Sequence, residues 1–281
     1  MARVLLRGPA STALGLAALT LSLAGVHALR VSLNLRFEAS RRVLDDANIP
    51  RPEVARALSL GHTEWVTDAL WINATLYYGE TLFAHLPARY ITRYTDTMIA
   101  LDPDFRRAYL WGASTLLYRT VAASPSDVHR AAGFMRQGLT RFPSDPEIHL
   151  ELGMHLAFEE VRYATGEPQR RALLAEGGEH LRFAASAGVG PPWLPLTAAT
   201  LLVGAGRERD AVLVLCDGIT HADNAETFTL FETRLATLLR GHADENPLAA
   251  AFLDAARSRR RHHPWMPPML HVFVGEPMLL R

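Results

Sequence analysis

From Gly61 onward, apolar side chains recur every three or four positions through segments of 12 to 20 residues, the spacing of one buried helical face. Short breaks, most of them marked by proline, separate these segments: Leu101-Asp102-Pro103-Asp104, Phe142-Pro143-Ser144-Asp145-Pro146, Gly190-Pro191-Pro192 and His221-Ala222-Asp223-Asn224. No run alternates apolar and polar positions as a half-buried strand would. The pattern therefore predicts an all-α chain of helical pairs. The pairs begin with Glu64 to Glu80 and Ala88 to Ala100, and amphipathic helices over Glu226–Arg240 and Asn246–Arg261 close the array.

Ahead of these helices stands a segment of another kind. Arg3 and Arg7 precede a stretch from Pro9 to Leu29 without formal charge, and Arg30 closes it. About 20 helical residues cross a hydrocarbon core, and a leader's apolar region runs about 7–15. The expectation is an uncleaved signal anchor over 1–30, in the inner membrane and with the body on its outer face. The alternative is a cleaved leader, with small residues at Ser22-Leu23-Ala24 and Val26-His27-Ala28. Residues 31–60 read as a spacer, because Ile49-Pro50-Arg51-Pro52 interrupts any helix running out of the anchor.

The spacing of small residues adds detail. From Pro192 to Ala225 there are 34 residues, with Ala199 at unit position 8, Ala211 at 20, Gly218 at 27 and Gly206 in the turn. This unit resembles the tetratricopeptide repeat, although Asp223 stands where that family usually has proline and Pro195 where it has an aromatic residue. Two earlier units match more loosely. One carries Gly112, Ala131, Gly138 and Pro143, with an insertion near Val121 to Asp127. The other carries Gly153, Gly178 and Ala185, with an insertion that includes Ala164 to Arg171. The physical demand behind such positions is close crossing of antiparallel helices, whose axes lie about 8–10 Å apart. The resemblance implies a right-handed solenoid of helical hairpins over 61–225, with capping helices over 226–262 and an extended tail over 263–281.

Composition narrows the function. Apolar residues make up 49% and charged residues 21%, as in a folded chain. The 29 basic and 29 acidic side chains cancel, so nothing global attracts nucleic acid. Every basic residue is arginine and none is lysine, which reads as codon bias of a GC-rich genome. The lone Cys216 excludes an internal disulfide and, within Val212-Leu213-Val214-Leu215, reads as a small buried hydrophobe.

No catalytic constellation emerges. GxSxG, GxxxxGK[ST] and HExxH are all absent. His155 and Glu159, four apart on one helix, could share an ion, whereas His149 faces elsewhere. The expectation is no enzyme, no cofactor and no metal. The rival is an envelope enzyme or enzyme accessory using a histidine–carboxylate site between His149 and Glu159. A further alternative is a structural subunit of a secretion, motility or respiratory assembly.

The most distinctive stretch is Gly61 to Glu80, where Trp65, Asp68, Ala69, Ile72 and Leu76 share a helical face. With its neighbours it suggests an aromatic groove for an unidentified protein partner, because Trp and Tyr are common interface anchors. The candidate partner-binding residues are Trp65, Trp71, Tyr78, Tyr109, Trp111 and Tyr118. The alternative places these rings in a packed first helix. At the other end Arg257, Arg259, Arg260 and Arg261, followed by His262-His263-Pro264-Trp265, could meet anionic headgroups or an acidic partner. The same charges also suit a solvated helix end.

Overall fold

The computed structural model describes residues 17–32, 49–118, 122–240, 246–264, 266 and 270, and every regular element among them is helical. The chain divides into two units, Met1–Ile49 and Pro50–Arg281. In the first, residues 17–32 form helix α1 with every side chain exposed, Leu19, Leu21, Leu23, Val26 and Leu29 included. The hydroxyls of Thr20 and Ser22 donate to the carbonyls of Ala17 and Ala18, which satisfies them inside the helix. Among the described residues no helix is long and apolar enough to cross a membrane. The first half of the expected anchor, and about half of the expected spacer, lie outside the described residues.

The second unit carries eleven α-helices among the described residues: α2 Pro52–Leu58, α3 Thr63–Phe83, α4 Ile91–Leu101, α5 Arg106–Leu117, α6 Pro125–Arg141, α7 Pro146–Phe158, α8 Glu167–Ser186, α9 Leu194–Gly204, α10 Glu208–His221, α11 Ala225–Leu239 and α12 Pro247–His262. A 3-10 turn, Glu160–Tyr163, joins α7 to α8. From α3 onward each helix packs against its neighbours in the chain. Prolines open α2, α6, α7 and α12, where the missing N–H costs nothing. Asp145 caps α7 by accepting from the amides of Glu147 and Ile148, and Ser124 and Asp127 form a reciprocal capping box at the start of α6.

Three segments differ from the pattern-based expectation. Residues 52–58, expected in the spacer, form α2, which packs on α4; Ala55 is buried, and Arg56 donates to the Ala100 carbonyl at 2.6 Å. Pro52 starts this helix rather than breaking one. The end of the first expected insertion, from Pro125, belongs to α6. Much of the second builds the early turns of α8, a helix of 20 residues.

Small residues set the helix crossings. A Cβ added at Gly112 on α5 would collide with the Thr95 side chain of α4. At Gly153 on α7 it would meet Leu181 Cδ2 at 2.6 Å and the Gly177 carbonyl of α8 at 3.0 Å. At Gly178 it would meet Leu202 of α9 at 2.9 Å. Backbones pressed this closely explain why glycine occupies these positions. Gly206, at φ +77°, turns the chain between α9 and α10 in the left-handed region.

Alternate helices also meet. Among even-numbered helices Asp96 of α4 pairs with Arg130 of α6, and Arg136 of α6 pairs with Glu176 of α8 at 3.0 Å. Glu179 of α8 receives Arg207, at the start of α10, at 2.7 Å. Odd-numbered helices meet through aromatic rings and through ion pairs as well: Arg106 of α5 pairs with Asp145, the cap of α7, and with Glu147 of α7 at 2.5 Å.

Candidate functional site

Helical geometry sorts the six aromatic candidates. Trp71 and Tyr78 are seven residues apart on α3, hence on nearly the same face, and so are Trp111 and Tyr118 along α5. The two faces meet. Trp71 stands edge-on to Trp111 with centroids 5.2 Å apart, and edge-on to Phe105 at 5.3 Å. Tyr78 approaches Trp111 at 6.2 Å, and its hydroxyl donates to the Tyr118 carbonyl. Such pairs add about 0.5–1.5 kcal/mol each beyond burial. Phe105 is a member of this cluster that the sequence did not single out; its place just before α5 gave no periodic signal.

Tyr109 lies elsewhere. Two residues from Trp111 it turns about 200° around the helix. It is only 1% exposed, donates to the Pro103 carbonyl at 2.8 Å and packs edge-on to Phe142. It is a core side chain, so the structure removes it from the groove-lining set. Trp65 and Tyr118, at 72% and 75% exposure, are the two most open of the six. Trp65 stacks on His62 at 4.9 Å, and Ile72 and Leu76, which share its face, are exposed as well.

Two concavities open between other odd-numbered helices. A pocket of about 160 Å³ lies between α5 and α7, lined by Tyr118, Met154, His155, Phe158, Glu151 and Glu159 among others. A wider cleft of about 870 Å³ lies between α9 and α11, with Trp193, Leu196, Leu230 and Arg234 in its walls. Tyr118 thus belongs both to the aromatic contact and to the first pocket.

The histidines are committed to packing. His155 is 4% exposed, and its Nε2 donates to the Val128 carbonyl at 2.8 Å. Burial lowers its pKa, so the ring stays neutral. Glu159 pairs with Arg162 at 2.8 Å. His149 donates from Nε2 to the Pro143 carbonyl at 3.0 Å, which leaves Nδ1 to accept from His180 Nδ1 at 2.8 Å. Its ring also lies 4.0 Å from the ring of Phe183. The other edge of His180 faces Glu176 at 3.9 Å. His180, with Arg136, holds that carboxyl down to about 2. His149 and His155 therefore look toward α8 and α6 respectively. Among the described residues no three His, Cys, Asp or Glu side chains stand close enough to hold a metal ion.

Comparison with protein-family models, curated proteins and solved structures gives no match.

Burial pushes the Cys216 thiol up to about 11, well above the range of a reactive thiolate. At the basic end Arg257 pairs with Glu232 at 2.8 Å, and Arg260 lies 4.5 Å above the Phe228 ring while bonding Thr229. Half of that arginine cluster is thus spent on docking α12 against α11. Trp265 and the tail after Leu270 lie outside the described residues.

Proposed function

We propose that the chain is a membrane-anchored scaffold of stacked, tetratricopeptide-like helical hairpins, holding a segment of a partner protein in a cell-envelope complex without catalysing a reaction. The supporting observation is the set of exposed apolar side chains that the odd-numbered helices carry near an aromatic cluster. Ion pairs do not separate the two sets of alternate helices, since they tie α4 to α6, α6 to α8 and α8 to α10, and also α5 to α7. Odd-numbered helices carry exposed Trp65, Ile72, Leu76 and Tyr118 beside the aromatic cluster, and clefts open between them. Exposed aromatic and aliphatic side chains beside clefts are what a partner's anchors fill. The uncharged stretch Pro9 to Leu29 supports anchorage by the amino-terminal segment in the inner membrane, with the body on its outer face. The histidine–carboxylate alternative loses support, because His155 and Glu159 already have structural partners.

The test is affinity purification from membranes in mild detergent, comparing the parent chain with a Trp65→Ala, Ile72→Ser, Leu76→Ser variant. The three side chains are exposed, so thermal unfolding should be unchanged within about 0.5 kcal/mol per site. Stoichiometric recovery of one partner by the parent, and its loss from the variant, is the expected result. Equal recovery by both chains would end the groove assignment. Resistance of the parent to alkaline extraction from membranes checks the anchor.

A further inference from the structure

The pocket between α5 and α7 carries a chemical signature that the groove alone does not. Its polar lining is almost wholly hydrogen-bond acceptors. The Ser114 hydroxyl has given its proton to the Leu110 carbonyl at 2.9 Å. The Nε2–H of His155 is given to Val128, which fixes the tautomer and leaves Nδ1 as a lone-pair acceptor. That Nδ1 is buried and has no hydrogen-bond partner, although the side chain lines the pocket. Unpartnered buried acceptors are uncommon and costly.

Two carboxylates stand with it. Glu159 answers Arg162. Glu151, an exposed side chain in the pocket lining, has no ion pair or hydrogen bond among the described residues. Asp104, Asp145, Glu176 and Glu232 each meet an arginine. Glu151 is an exposed carboxylate with no cation of its own, one turn from Glu147, whose charge Arg106 meets. Around these acceptors stand Met135, Met154, Phe158 and the Tyr118 ring, apolar surface suited to an aliphatic stem and a cation. The volume of about 160 Å³ falls below the ~300–1,000 Å³ of small-molecule sites and suits one long side chain.

We infer that this pocket is the specificity subsite of the groove and receives one arginine or lysine side chain from the bound partner segment. The stem would lie between Met154 and Phe158, with the charged head among Glu151, Glu159 and His155 Nδ1. The inference rests on the groove reading for its partner, yet the pocket's preference for a cation can be measured without one.

The probe is acetyl-Ala-Arg-Ala-amide, with acetyl-Ala-citrulline-Ala-amide as its neutral isostere. Each is titrated into the full chain in detergent while the methionine methyl resonances are followed. Saturable shifts of Met135 and Met154 with the arginine peptide, and none with the citrulline peptide, are expected. Glu151→Gln should weaken the arginine response about fivefold, as loss of one partly exposed charge pair would. Equal response to both peptides, no response to either, or full affinity in Glu151→Gln would overturn the subsite. A Glu151→Arg variant in the membrane pull-down separates the two proposals. Partner loss there supports the subsite. Partner retained by Glu151→Arg but lost from the Trp65, Ile72, Leu76 variant sinks the subsite and leaves the groove. Peptide binding that follows Glu151, with a partner indifferent to the Trp65, Ile72, Leu76 variant, sinks the groove and leaves the subsite.

Discussion

A single hydrogen-to-methyl change shows how tightly this molecule is drawn together. At Gly153 the new methyl would meet Leu181 and, at 3.0 Å, the Gly177 carbonyl, a backbone atom that cannot step aside alone. At Gly133, in the middle of α6, it would meet nothing within 4 Å. The two replacements by alanine should therefore have opposite signs. Gly153→Ala is expected to destabilise by about 1–3 kcal/mol through overpacking. Gly133→Ala should stabilise by about 0.5–1 kcal/mol through helix propensity and reduced unfolded-state freedom. Urea denaturation of both variants measures this; equal effects would show that glycine is kept at Gly153 for some reason other than space. Spacing along the chain points to Gly112, Gly153 and Gly178 as close-contact positions, because small residues recurring among apolar ones mark where two helix backbones press together. No such guidance exists for Tyr109. Residue type marks it as an interface anchor, and only the turn of the helix from Trp111 to Tyr109 shows that it faces the core.

At the scale of elements, several breaks were legible because their chemistry is local: Pro103, Pro143 and Pro191 stand between helices and Gly206 turns the chain, whereas the starts of α2 at Pro52 and of α6 behind its Ser124 cap read as an interruption and an insertion. Contacts across helices were not legible. Nothing near His149 in the chain announces His180, 31 residues away, nor does Arg136 announce Glu176 at 40. These groups join α6, α7 and α8 into one polar seam, and the seam makes stability depend on acidity. Glu176 has a folded pKa of about 2, below its ordinary 4.5, so its contribution is complete above pH 4.5 and disappears as pH falls toward 2. His149 and His155, their pKa values lowered by burial, are neutral in the fold and protonated in the unfolded chain at mildly acidic pH. Their contribution is complete above about 6.5 and is lost on acidification below it. Both effects run the same way, so the unfolding temperature should drop as pH falls from 7 to 5 and again below 4.5. Glu176→Gln should lower stability at pH 7 by about 1 kcal/mol, a modest figure because the carboxylate is partly exposed and screened. The deficit should vanish near pH 2. A deficit that persists there would assign the loss to packing rather than charge.

Over the whole second unit, contacts follow the chain: each helix leans on those before and after it, and alternate helices add ion pairs or aromatic rings. Among the described helices no central element gathers the core. In such an arrangement stability is a sum of neighbouring interfaces, and damage at one end need not reach the other. Phe231 offers a direct trial. It is fully buried on α11, and its ring fills the space over Gly218 of α10. Phe231→Ala should cost about 3–5 kcal/mol where it acts. If interfaces couple only to their neighbours, amide exchange should accelerate through α9 to α12 and change little in α3 to α6, where Trp71 and Trp111 lock against each other. A globally cooperative fold would speed every helix alike and would contradict the one-dimensional stack. The outcome bears on the groove as well. In a linear stack the aromatic contact between α3 and α5 and the acceptor-lined pocket between α5 and α7 would keep their geometry while the far end opens. The cationic peptide should then still shift Met135 and Met154 in the Phe231→Ala chain.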